Sequence, residues 1–497
     1  MKTRNCLISA ALAVVLFAAC SQPSAKGTGS VRIDIPAKYL ASASKDADSS
    51  KDSTPKLRVF IEARGSFVPL VAGSTSSYYE TVIKDNSVTI DDVNPVVNAN
   101  LYFSLGRTNS SGVFVVTDYA AASSVTITAA ATTSVTASHY LSPFTPLDCA
   151  SDSSGIKATV VGGKIYAVDG GKLYSYAPDT WTKSGSLADL SGLAVNGIEA
   201  GKVYSSTARL DGDAVWLDTS SGIRSYNVGS AALDTSALGE SGGNTLDSGC
   251  FTLSLDGTSY DVIYYQAKAF LGFAYYSGGK WNWNTLSGIA SSSGVDISSL
   301  LNMVSSRIIT DMDVNSDPSS GYFYLVSPIK NIGCKLSAFE KLLLPEFKKA
   351  GKDISKLLTA ADSVKITSPQ EGTVISSISR GGDYLYLGTD RHLYCGKASS
   401  ASSGYESFSF SAIDSAVTEI VKVKACSYGD ASYAAAITAD GNLLVCKDGA
   451  LVKTYKSYMG LPSLGSDPAS TARVFWTDKG LVVSGVDGLA VLGFGKI

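Results

Sequence analysis

Between Val161 and Trp181 the chain reads VGGKIYAVDGGKLYSYAPDTW, and few local structures accommodate that order of residues. In the runs KIYAV and KLYSY, Tyr and Leu alternate with small or polar residues, the period of a strand with one buried face. Between them Asp169, Gly170 and Gly171 supply residues that take positive φ at little cost, as a tight hairpin requires. The stretch therefore predicts one hairpin of a β-meander. Similar units recur to Ile497 at intervals of about 40 to 55 residues, with starts near Gly155, Gly192, Ser248, Leu301, Gln370, Ala416 and Ala469. DYLYLGTDRHLYCG, YAAAITADGNLLVCKDGALV and GLVVSGVDGLAVLGF are the clearest of the later hairpins.

The sequence of features Gly162 and Gly163, Tyr166, Gly170 and Gly171, Tyr174 and Tyr176, then Trp181 resembles a blade of the kelch-like and PQQ-like β-propellers. That resemblance implies an all-β propeller of about seven blades over residues 144–497. The last unit shows only three strand candidates, Arg473 to Trp476, Gly480 to Ser484 and Gly488 to Gly493. Its fourth is expected from Thr145 to Ser151, which would hide an edge that otherwise invites aggregation.

Ahead of this region, strand candidates run Val31 to Ile35, Leu57 to Glu62, Tyr78 to Ile83, Ser87 to Ile90, Leu101 to Leu105, Val113 to Tyr119 and Ser124 to Thr128. Short strands at this density predict an antiparallel β-sandwich over residues 30–143, with Pro143 and Pro146 at its boundary. The pattern is similar to the immunoglobulin-like modules of bacterial surface lipoproteins, without their Cys, Trp, Cys spacing. Ala41 to Pro55, rich in Ser, Lys and Asp, reads as a loop. One segment departs from strand spacing. Ser337 and Glu340 form a capping box, and Phe339, Leu343, Phe347 and Ala350 follow at helical intervals, predicting a helical insertion over 337–358.

Residues 1–19 read as an export signal, because Lys2 and Arg4 precede an apolar run from Leu7 to Phe17 that ends in small residues. Phe17, Ala18, Ala19 and Cys20 resemble a bacterial lipobox of the relaxed, spirochaete type. The resemblance implies lipidation (palmitate among the acyl chains) at Cys20, with residues 20–29 as a tether to the membrane. The expected address is the bacterial cell envelope, on an outer membrane facing the periplasm or the cell surface.

Charged residues make up only 17% and the formal net charge is −3, so no basic stripe points to a nucleic-acid partner. Six cysteines follow Cys20: Cys149, Cys250, Cys334, Cys395, Cys426 and Cys446. An even number in an exported chain permits disulfides, and buried thiols are the equal alternative. Their wide spacing excludes a CxxC metal site.

Candidate chemistry is sparse. His139 and His392 are the only histidines, they lie in different expected domains, and no GxSxG elbow exists. Asp311, Asp313, Asn315 and Asp317 place oxygens at alternate positions as a calcium loop does, but Ser316 stands where an EF-hand needs Gly and Tyr322 where it needs Glu. Tyr275, Tyr276, Trp281 and Trp283 are dense enough for a protein- or glycan-binding platform, although strand aromatics also serve packing between blades. Phe339, Leu343 and Phe347 would give the helical insertion a docking face. These readings converge on a non-enzymatic envelope lipoprotein that is a protein-protein or adhesive scaffold, needs no cofactor, and leaves calcium as the one candidate ion. The alternative is a propeller hydrolase or lyase holding a metal between carboxylates in its central channel.

Overall fold

In a computed structural model the described residues are 27–37, 54–205, 207–220, 222–238, 245–255, 258–267, 270–285, 311–315, 321–326, 331–335, 366, 369–370, 372–400, 406–414 and 418–497. The chain is all-β, built from small, mostly antiparallel sheets. Among the described residues the only helical turns assigned in full are Ser457–Met459, Pro468–Thr471 and Phe494–Lys496. The expected helical insertion, with Phe339, Leu343 and Phe347, lies outside the described residues, as do the leader, Cys20 and Asp317. No helix of the described residues is long and apolar enough to cross a membrane.

The chain divides into two units. The first takes the described residues up to Asn109, Phe114–Ser142 and Tyr458–Gly460. One of its sheets joins Ser87–Val93, Gly29–Asp34 and Thr132–Val135, the last pairing in parallel. The other joins Ser66–Val68, Lys56–Ala63, Val96–Thr108, Phe114–Ile127 and Ser138–Leu141, with Tyr78–Val82 also on Lys56–Ala63. Alternate residues of both sheets, including Val31, Ile33, Leu57, Val59, Ile90, Leu101 and Phe103, form one buried cluster. Each such side chain contributes about 1.5–3 kcal/mol on burial.

One expected break is absent. The two strands read from Val113 to Thr128 are a single strand, Phe114–Ile127, because Ser124 is absorbed as a bulge. Its φ is +58°, and the register jumps from Ala122↔Leu101 to Val125↔Ala99 with an extra residue on its side. Alternation survives on either side of the bulge, so the strand keeps one face toward the core.

The second unit takes Ser110–Val113, Pro143–Ser457 and Leu461–Ile497. Among its described residues, seven sheets follow in chain order. Sheet one is Ala158–Val161, Lys164–Asp169, Lys172–Tyr176 and Ala188–Asp189. Gly170 and Gly171, at φ +56° and +72°, make its two-residue turn, the conformation that Gly adopts without a Cβ clash. Sheet two is Val195–Ser205, Ala208–Thr219, Gly222–Asn227 and Ala232–Leu238. Sheet three is Thr245–Leu255, Thr258–Ala267, Phe270–Ser277 and Lys280–Thr285. Sheet four shows Asp311–Asn315, Tyr322–Val326 and Ile332–Lys335.

Sheet five is Ile375–Gly381, Tyr384–Thr389, Leu393–Ser400 and Glu406–Ala412. Sheet six is Ile420–Tyr428, Ala431–Thr438, Leu443–Lys447 and Ala450–Tyr455. Sheet seven is Arg473–Trp476, Gly480–Ser484 and Leu489–Gly493, with Phe144–Leu147 added antiparallel to Leu489–Gly493. A strand from the beginning of the unit thus completes the sheet at its end, which removes an open edge.

Neighbouring sheets share apolar cores. Tyr166 and Leu173 of sheet one meet Ile198, Val215 and Leu217 of sheet two. Trp216 of sheet two meets Ile263 and Trp281 of sheet three, and Tyr324 of sheet four meets Ile378 and Leu385 of sheet five. Tyr386 and Cys395 of sheet five meet Val423, Ala434 and Cys446 of sheet six. Val482, Leu489 and Val491 of sheet seven pack with Ile165, Ala167 and Tyr176 of sheet one. First strands of consecutive sheets also lie side by side, from Ile375–Gly381 with Ile420–Tyr428 to Arg473–Trp476 with Ala158–Val161.

Candidate functional site

Asp311 and Asp313 stand two residues apart on the first strand of sheet four, so their carboxyls leave the same face. That face meets the first strand of sheet five. Asp311 Oδ2 accepts from Ser377 Oγ and from Ile378 N at 3.0 Å. Asp313 Oδ2 accepts from Arg380 N at 2.7 Å and Ser379 Oγ at 3.3 Å. The same hydroxyls accept from sheet six, Ser377 Oγ from Val423 N and Ser379 Oγ from Ala425 N, each at 2.9 Å. Two short relays therefore tie the first strands of three consecutive sheets together.

Burial raises the Asp313 carboxyl above its ordinary value, outweighing the Lys424 charge and the Arg380 N–H that favour ionisation. Asn315 lies opposite Tyr322 in the ladder. Among the described residues no group of three His, Cys, Asp or Glu side chains is placed to hold an ion. The strand's carboxylates serve the sheet junction.

The aromatic hairpin is equally occupied. Trp281 is buried, and its Nε1 donates to Ser205 O at 2.9 Å and Ala208 O at 3.0 Å. Tyr276 donates its hydroxyl to Thr207 O at 2.9 Å and meets the Trp281 ring edge-on at 5.6 Å. Both side chains therefore hold the turn between the first two strands of sheet two. Tyr275 and Trp283 take their places in the ladder opposite Val262 and Ala274, and their side chains are outside the described set.

His392 is structural as well. His392 Nδ1 lies 3.1 Å from Asp414 Oδ1, which also accepts from Leu393 N at 3.1 Å, bracing a hairpin. His139 is in the first unit. The five cysteines whose side chains are described, Cys149, Cys250, Cys395, Cys426 and Cys446, carry free thiols. Burial pushes Cys250 and Cys395 to about 11 and Cys149 and Cys426 to about 12, so none is a thiolate nucleophile near neutrality.

A different group of rings reaches solvent. Tyr428 stacks on Phe494 with centroids 3.9 Å apart and planes 9° apart. Phe494 lies parallel to Trp476 at 5.5 Å and 9°, and Tyr433 closes the group at 5.0 Å from Phe494. Sheet six supplies Tyr428 and Tyr433, the first strand of sheet seven supplies Trp476, and the turn after its last strand supplies Phe494. Trp476 Nε1 donates to Lys424 O at 2.9 Å, and Phe494 N donates to Lys479 O at 3.3 Å, so the pile is anchored at both ends.

Tyr428 is 46% exposed, among the large apolar side chains of the described residues that are open to water. Phe494 stacks on one face of its ring. Gly429, at φ +57°, and Asp430 make the two-residue turn across which Tyr428 pairs with Ala431. Lys447 Nζ sits 5.4 Å from the Tyr433 ring, and Lys479 Nζ is held by Asp179 at 3.1 Å and Asp478 at 3.8 Å. Sequence reading misses this site because its rings lie on separate runs. The available signal was a Tyr at a strand end just before a Gly-Asp turn.

No protein-family model matches the chain, and no curated protein is similar to it. Among solved structures, the extracellular domain of BT4673 from B. thetaiotaomicron is similar over 70% of this chain and 39% of its own, at 11% identity and a TM-score of 0.38. PorZ, a bacterial surface component of the type-IX secretion system of Porphyromonas gingivalis, is similar over 84% of this chain and 60% of its own, at 8% identity and a TM-score of 0.39. The AfRom2 CNH domain is similar over 71% of this chain and 99% of its own, at 10% identity and a TM-score of 0.35.

Proposed function

We propose that this chain is a lipid-anchored protein of the bacterial cell envelope that binds a partner without catalysis. Its second unit is a seven-bladed β-propeller and its first an immunoglobulin-like sandwich acting as spacer. Support for the propeller comes from the core shared by the last sheet and the first and from Phe144–Leu147 completing the last sheet. The anchor is Cys20, and the outer membrane is the address that its lipobox-like context suggests. The observation that carries binding is the ring pile, in which Tyr428 is 46% exposed while stacked on Phe494. A rigid, pre-stacked aromatic binds with little loss of side-chain entropy.

Two experiments test this reading. Metabolic labelling with a palmitate analogue should tag the wild type and leave Cys20→Ser unlabelled; equal labelling removes the anchor. The unlipidated full chain, fluorescently tagged, should bind envelopes from the producing cells saturably, and Tyr428→Ala should weaken that binding at least about ten-fold, or 1.4 kcal/mol. Binding equal in both proteins overturns the assignment of the site.

A further inference from the structure

We infer that the ring pile takes a neutral pyranose sugar of a glycan, with the Tyr428 ring as the platform; this rests on the binding role proposed above and specifies its ligand. The first argument is shape. Tyr428 is a half-exposed flat ring stacked at 3.9 Å on Phe494, which itself lies parallel to Trp476, so the stack restrains its tilt. A single ring face matches the C–H face of one sugar ring. It is far smaller than the roughly 800 Å² per partner that a stable protein interface uses.

The second argument is charge. Around the rings stand Asp430 in the adjoining turn, Lys479 with its partners Asp179 and Asp478, and Lys447 against Tyr433. The two signs are mixed, so these groups select neither a cationic nor an anionic ligand. A sugar hydroxyl both donates and accepts, so a neutral polyhydroxylated ring is satisfied by either sign. Lys479, exposed and paired with Asp179, can donate to such hydroxyls, and Asp430, exposed in the turn after Tyr428, can accept from them. Both groups belong to the loops that carry the rings: Asp430 follows Tyr428 by two residues, and Lys479 O accepts from Phe494 N.

The test titrates the unlipidated full chain with methyl glycosides of glucose, galactose, mannose and N-acetylglucosamine, read by saturation-transfer NMR and calorimetry. At least one should bind saturably, with a dissociation constant of about 1 mM for a single ring. Tyr428→Ala should weaken it at least about ten-fold and Tyr428→Trp should retain it, while both keep the wild-type melting temperature. Asp430→Ala should weaken it less. The inference is overturned if no glycoside binds, if binding is indifferent to Tyr428→Ala, or if choline or a lysine-rich peptide binds there in place of the sugars. Envelope binding lost in Tyr428→Ala but not competed by any sugar sinks the glycan and leaves the binding role standing. Envelope binding indifferent to Tyr428 removes both.

Discussion

The junction between sheets two and three and that between sheets four and five both bury aspartate, and they do it in opposite ways. Asp261, on the second strand of sheet three, receives Arg209 Nε at 2.9 Å and Nη2 at 2.6 Å, Leu210 N at 3.1 Å and Thr252 Oγ1 at 3.2 Å. Burial works against its ionisation, yet the Arg209 hydrogen bonds and charge outweigh burial and hold the carboxyl below its ordinary value. Asp313 receives an N–H and a hydroxyl but no guanidinium fork, and burial wins, so its carboxyl lies above its ordinary value. The difference teaches that a nearby cation such as Lys424 does not by itself offset burial of a carboxylate, whereas a guanidinium hydrogen-bonded to it does.

The largest effect should come from Asp261→Ala, which strips four donors of their acceptor and costs about 3 kcal/mol, read from the urea midpoint at neutral pH. Asp311→Ala should cost about 2 kcal/mol, because Ile378 N–H and the Ser377 hydroxyl lose a buried acceptor. Asp313→Asn should reverse the sign. The amide oxygen still accepts from Arg380 N–H while the desolvated charge is gone, so stability at pH 7 should stay level or rise by up to about 1 kcal/mol.

Proton linkage sharpens the same contrast. A carboxyl lowered by folding, as Asp261 is, contributes stability that is present above its unfolded value and lost as pH falls through the folded one. A carboxyl raised by folding, as Asp313 is, contributes stability below its unfolded value that is lost as pH rises through the folded one. Melting temperatures measured from acid to neutral pH should thus show a rising component abolished by Asp261→Asn and a falling component abolished by Asp313→Asn. If either variant leaves both components intact, the assignment of that carboxyl is wrong. The smallest effect belongs to Tyr428→Ala, within about 0.5 kcal/mol of wild type because the ring is half exposed.

Much of the strand content was legible beforehand. Gly170 and Gly171 predict a two-residue hairpin because alternation on either side leaves the turn no other register, and the structure places the turn there. Arg473 to Trp476 and the two runs after it give three strands, and the missing one comes from Phe144–Leu147, which overlaps the expected stretch from Thr145 to Ser151 and begins one residue earlier. The break between Tyr119 and Ser124 was misread for a local reason. A run of small residues interrupts the large apolar side chains in sequence, but the strand continues through it when a bulge shifts the register.

The candidate sites divide along a different line. Periodicity alone puts Asp311 and Asp313 on one face of a strand, whether that face meets an ion, water or another strand. Ser377 and Ser379, more than sixty residues on, decide it by supplying the hydroxyls that those carboxylates accept. In the same way Tyr428, Trp476 and Phe494 carry no mutual signal in sequence, being separated by two sheets' worth of turns and strands. What the sequence determined by itself was strand, turn and repeat, since those depend on neighbours a few residues away. Only the tertiary structure decided which polar groups are consumed in joining sheets and which ring is left facing water, because burial and partner supply depend on strands that meet across long stretches of chain.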